Sequence, residues 1–142
     1  MGVIVDTSAL VAMERRQLPV GSIRDRIGAE PVAIPAIVWA ELLVGVRLAK
    51  TADMATRRRA RLEQIRLHVP IIGFDGRIAE HYADIHAECL KKGTMIPQND
   101  IAVAATARCL GYKVLVGPQD ESHFRSVSRL AVVSLDRIAP GN

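Results

Sequence analysis

At 142 residues the chain has the length of one domain, able to bury about two thirds of the surface its unfolded form exposes. A hydrophobic fraction of 49% with 24% charged residues fits an ordinary globule, and no apolar run approaches a membrane span. Aromatics at 4% exclude the base-stacking platforms of single-strand binders, while a net charge of +4 permits a polyanionic partner without demanding one.

Val3-Ile4-Val5 reads as a short buried strand that runs straight into Asp6. Asp6 stands where the N-cap of the next helix belongs, and that helix is expected from Thr7 to about Arg16. An acid at the carboxyl end of a strand in an open α/β sheet is placed for chemistry or for metal, with a simple helix cap as the alternative. Val20 to Gly28 fits a short amphipathic helix or a turn, and Val32-Ala33-Ile34 a brief strand between prolines. Pro35 suits the first turn of a helix from Ala36 to Lys50, whose apolar residues lie on most faces and predict burial. Glu41 interrupts that surface. A carboxylate there is costly unless it is paired, bound to metal or turned to solvent beside Arg47.

Thr51 to His68 predicts a basic helix carrying Arg57, Arg58, Arg59, Arg61 and Arg66, either a solvated face or a surface for phosphates. Val69 to Ile72 is strand-like, and Asp75 is the expected N-cap of a helix with an inner stripe of Ile78, Tyr82, Ile85, Cys89 and Leu90, stopped by Gly93. A helix follows from about Ile101 to Leu110, with Asn99 or Asp100 as its cap, and then a strand over Tyr112–Val116. That strand leads to Gly117-Pro118-Gln119-Asp120, a connector holding Phe124 and Val127, and a last strand over 130–135. The alternation predicts a single α/β domain over residues 1–142 with a mainly parallel sheet. Cys89 and Cys109 read as small core residues of a reducing compartment, and the lack of a leader-like start predicts a cytoplasmic protein without membrane contact. His81 and His86 are five apart, so His68, His81, His86 and His123 read as surface or cap residues and not as a zinc set.

Four carboxylates thus arrive at comparable points: Asp6, Glu41, Asp100 and Asp120. Two unit charges about 4 Å apart cost about 4 kcal/mol at an effective dielectric of about 20, and a divalent cation removes that cost. Oxygen ligands without His or Cys indicate Mg²⁺, with Mn²⁺ as a substitute, and phosphodiester hydrolysis as the matching chemistry.

The segments Val5-Asp6-Thr7-Ser8-Ala9-Leu10, Pro35 to Leu42, Asn99 to Ala107 and Asp120 to Val127 resemble, in order, the PIN-domain ribonucleases and the VapC toxins in particular. The resemblance implies Asp6, Glu41 and Asp100 as the core acids and Asp120, or its neighbour Glu121, as the fourth, more variable one. It implies hydrogen-bonding support from Thr7, Ser8 and Asn99. It also implies a three-layer α/β/α arrangement with helices flanking the parallel sheet, and a homodimer that cuts RNA and is held inactive by a VapB-type antitoxin. Arg57, Arg58, Arg59, Arg61 and Arg125 are then the candidates for holding RNA phosphates. Pro118 stands where the family commonly has a threonine, which removes a hydroxyl and a backbone donor and leaves a second metal position without that support. Competing readings are an RNA-processing PIN nuclease without an antitoxin and an inactive RNA-binding PIN domain. A haloacid-dehalogenase-type phosphatase is excluded, because its second aspartate would have to stand at Ser8.

Overall fold

In the computed structural model, which describes residues 1–137, the apolar run at the amino terminus is the central strand of the sheet. β1 (Val3–Val5) has its three side chains fully buried, each contributing roughly 1.5–3 kcal/mol of hydrophobic stabilisation. It pairs in parallel with β2 (Val32–Pro35) on one side and β4 (Lys113–Val116) on the other. β3 (Ile71–Ile72) extends the sheet beyond β2, and β5 (Val132–Ser134) extends it beyond β4. The order is β3-β2-β1-β4-β5, all parallel. The winding therefore reverses between β1 and β4, and ligands of open α/β sheets bind outside the carboxyl ends of strands at such a reversal. The last described turn is a 3₁₀ helix, Leu135–Arg137. Residues 138–142 of the expected 1–142 domain lie outside the described residues.

The flanking helices follow the sequence expectations with instructive differences. α1 (Thr7–Arg15) is capped by the Asp6 side chain, and α2 (Ser22–Ile27) fills the stretch read as a helix or turn. β2 runs through Pro35, which lies just outside the first turn of α3 (Ala36–Arg47). α3 is not buried all round: only Val38 is fully covered, and Val44 and Leu48 are 51% and 75% exposed. A single chain has too few elements on that side to cover a helix that is apolar on most faces. α4 (Ala52–His68) is the expected basic helix, held by buried Leu62 and Ile65. α5 (Gly76–Lys92) is capped by Asp75 and ends at Gly93 in the left-handed region. Its inner stripe is Ile78, Tyr82, Ile85 and Cys89. Leu90 is exposed, because one step past Cys89 turns the side chain by about 100°.

α6 (Gln98–Leu110) begins three residues before the expected Ile101. Its cap position is Pro97, so neither Asn99 nor Asp100 caps it, and Asp100 is the third helical residue. Buried Ala104, Ala105 and Ala107 let this helix lie close against α5 and the sheet. Its dipole favours a negative charge in that first turn. The expected connector after Asp120 is a short helix, α7 (Glu121–Arg125), anchored by fully buried Phe124. No helix of the described residues is long and apolar enough to cross a membrane.

One backbone approach ties the two strands at the reversal together. The Gly117 N–H donates to Ser8 Oγ at 3.0 Å, and a Cβ at Gly117 would collide with the Ser8 carbonyl. Gly117→Ala is therefore expected to destabilise the fold by roughly 1–3 kcal/mol in urea denaturation. Gly45→Ala in α3, where a Cβ meets nothing within 4 Å, is expected to stabilise it by up to about 1 kcal/mol.

Candidate active site

Asp6 leaves β1 into the reversal and is 1% exposed. Its Oδ2 accepts hydrogen bonds from the Ser8 backbone N–H at 3.0 Å and from Ser8 Oγ at 2.6 Å. The Asp6 N–H donates to the Leu115 carbonyl of β4. Capping and burial at the strand end are thus properties of one residue, and the two readings of Asp6 do not compete.

The other acids come from three further elements. Glu41 projects from half-buried α3, where its Oε1 accepts from Thr7 Oγ1 at 2.8 Å. Asp100, from the first turn of α6, is 9% exposed, and Asp120 precedes α7. His123 of α7 lies between them, its Nδ1 2.7 Å from Asp100 Oδ2 and 3.8 Å from Asp120 Oδ1. With Asp100 ionised, Nδ1 carries the proton and donates. Ligand atoms of Asp100, Asp120 and His123 all lie within 4.8 Å of one another, a spacing that one cation can bridge.

His123 corrects the sequence reading, which set it aside as a surface or cap residue. That reading weighed histidines against one another only. The informative spacing was Asp-x-x-His, which puts Asp120 and His123 on one side of a helical turn. The candidate ligand group thus includes an imidazole beside the carboxylates.

The electrostatics describe one coupled centre. Burial pushes the Asp6 carboxyl up to about 6 against the lowering effect of its Ser8 hydrogen bonds, and the charges of Asp100 and Asp120 push it further. Burial likewise raises Asp100, with Asp120 and Glu41 adding to the rise and His123 opposing it. Each buried acid is thus raised by two neighbouring acids, the arrangement expected of a site that binds a cation or takes up a proton.

The remaining candidates divide. Asn99 is exposed and lines a hollow with Ile37, Phe74 and Tyr82. Arg57 and Arg59 pair along α4 with Asp53 and Glu63. Arg58 is a bracing residue, donating to Glu14 Oε1 at 3.0 Å and to the Gly45 carbonyl at 2.7 Å. Arg125 pairs with Glu121 at 2.8 Å, and Asp120 lies beside Asp100 and His123. Arg61 is half-buried beside a cleft bounded by Thr7, Glu41 and Leu62.

Comparison with known proteins bears on the family of the chain. The PIN domain family matches residues 3–130. The chain is 30% identical over 136 residues to ribonuclease VapC5 of Mycobacterium tuberculosis, covering 95% of this chain and 94% of that one. Its fold is similar to VapBC2 of Rickettsia felis, solved bound to a promoter DNA fragment, with TM-score 0.82, 22% identity, and coverage of 96% of this chain and 100% of that chain. It is also similar to VapBC-5 of Mycobacterium tuberculosis, a member of the VapBC family of toxin–antitoxin systems, with TM-score 0.70, 24% identity and coverage of 94% and 98%. The chain belongs to the PIN-domain family, among the VapC-type ribonucleases.

Proposed function

We propose that this chain is a divalent-metal-dependent endoribonuclease, acting in the cytoplasm as the toxin of a VapBC-type pair and restraining translation and growth. The observation that carries the metal reading is the coupling of two buried carboxyls, Asp6 and Asp100, with Asp120 and Glu41 beside them. A cation relieves that repulsion where a proton otherwise must. Asp6, Asp100 and Asp120 are the proposed ligands for Mg²⁺ or Mn²⁺, with His123 as a further donor and Glu41 as a ligand or the group that positions water. The bound ion would activate a water and stabilise the leaving oxygen of the phosphodiester.

The protein's own groups prepare that step. Ser8 fixes the Asp6 carboxylate through two hydrogen bonds, and Thr7 holds Glu41, so both acids face the site in one orientation. The name of its 30%-identical relative supports RNA as substrate, and the VapBC complexes among its structural neighbours support a VapB-type antitoxin. The exposed apolar surface of α3 offers room for that partner or for the second subunit of a homodimer. Growth arrest on expression, reversed by the product of a small adjacent gene, separates the toxin from an RNA-processing PIN nuclease.

Three outcomes test the site. Asp6→Asn or Asp100→Asn is expected to abolish cleavage of total RNA in a 5′-end-mapping assay. The loss should exceed the roughly 10–100-fold that removal of a supporting contact costs. Undiminished cleavage by either variant, or wild-type activity that survives EDTA, sinks the reading.

A second outcome concerns the metal-free fold. The folded pKa of Asp6 is raised from 3.8 to about 6, so between those values the native state holds a proton that the unfolded chain has released. Stability contributed by this group is complete below about pH 4 and is lost as pH rises towards about 6, by about 3 kcal/mol in all. Thermal melts in EDTA should show that slope. Asp6→Asn should remove it and raise the melting temperature at pH 7.

The third concerns His123. His123→Ala is expected to weaken Mn²⁺ binding by about 10–100-fold in titration calorimetry, and an unchanged Kd would remove the histidine from the donor set.

A further inference from the structure

Among the arginines of α4, Arg61 stands apart. Its Nη2 is buried and has no hydrogen-bond partner among the described residues, whereas Arg57, Arg58 and Arg59 each have a carboxylate within 3.4 Å. Burial works against the Arg61 charge, and the carboxylate that supports it, Glu14, is already bonded by Arg58. A buried guanidinium nitrogen without an acceptor costs roughly 1–3 kcal/mol or more, and such a group calls for an ion, a water or a ligand oxygen.

The space beside it is a cleft between α1, α3 and α4 of about 180 Å³, open at one side. That is well below the roughly 300–1,000 Å³ of small-molecule pockets, and it suits one polyatomic anion with a short apolar stem. Leu10, Leu42 and Leu62 form its apolar walls, which strengthen any ion contact made inside. Thr7 and Glu41, hydrogen-bonded to each other, form the end nearest the acids. Arg58 is locked to Gly45 and Glu14 at the side, so the cleft is built and not assembled from mobile surface chains.

We infer that this cleft is a phosphate subsite, in which Arg61 binds a phosphodiester of the RNA strand adjacent to the one cut at the acids. The inference rests on the nuclease reading. The Thr7–Glu41 pair belongs to both the cleft and the acid centre, so a strand laid across the acids passes the cleft with a neighbouring phosphate. Arg61 presents donors to a phosphate oxygen, the acceptor its orphaned nitrogen lacks.

The test is the salt dependence of binding. Fluorescence anisotropy of a fluorescein-labelled single-stranded RNA, with Ca²⁺ replacing Mg²⁺, gives the slope of log K against log salt for wild type and variants. Arg61→Met is expected to reduce the slope by about 0.7, one single-strand phosphate contact, and Arg61→Lys to retain it. Arg77→Met, at an exposed ion-paired position outside the candidate set, should leave the slope unchanged. Melting curves establish that each variant is folded, and Arg61→Gln replaces Arg61→Met if the latter is not.

An unchanged slope in folded Arg61→Met, or an equal loss in Arg77→Met, overturns the subsite. So does an unchanged slope accompanied by lost binding of a Glu-rich peptide, which would assign the cleft to a carboxylate. Cleavage by wild type in Mg²⁺ and its loss in Asp6→Asn are read separately, so the subsite can fail while the nuclease reading stands. A wild type that neither binds nor cuts RNA overturns both.

Discussion

The site depends on a short relay of hydrogen bonds across the reversal in the sheet. The Gly117 N–H at the end of β4 donates to Ser8 Oγ, and Ser8 Oγ donates to Asp6 Oδ2 at the end of β1. This relay fixes a buried carboxylate where the chain leaves β1 towards β2 and leaves β4 towards β5, in opposite directions along the sheet. Gly117 is needed for that approach, since any side chain there meets the Ser8 backbone. A residue without a side chain and a residue with the shortest hydroxyl together hold the acid in place.

Around that relay the fold gathers charge that it would otherwise keep apart. Asp100 comes from a helix whose first turn favours an anion, and Asp120 and His123 come from the connection between the last two strands. Burial raises both Asp6 and Asp100, and each is raised further by another acid. In stability terms the arrangement is unfavourable, and it persists because 27 buried apolar residues among those described, all of β1 included, hold the elements in register. The imidazole of His123 offsets part of this cost by standing between Asp100 and Asp120.

The positive charge is sorted with equal care. Arg57, Arg59 and Arg125 are neutralised on the surface by acids four positions away on their own helices, contacts worth little individually. Arg58 is spent on bracing α4 against α1 and α3. Arg61 alone of the five candidate arginines is left half-buried with an unsatisfied nitrogen among the described residues. A run of like residues in sequence therefore resolves into three different roles, set by which way each faces from one helix.

What the sequence determined by itself is local: a β-branched run before an acid, proline and glycine stops, caps at Asp6 and Asp75, and an ordered set of segments resembling a family. Those follow from backbone propensity and from spacing within a few residues. They were enough for the α/β/α architecture and for four acids that act on one another. Tertiary structure alone decided which neighbours each residue meets. It put His123 against Asp100, separated by 23 positions, moved the start of α6 so that Asp100 turns inward, and left Val44 and Leu48 in the open. It also distinguished Arg61 from Arg58. The physical reason is that such choices rest on contacts between elements far apart in the chain, and neither periodicity nor composition carries that information.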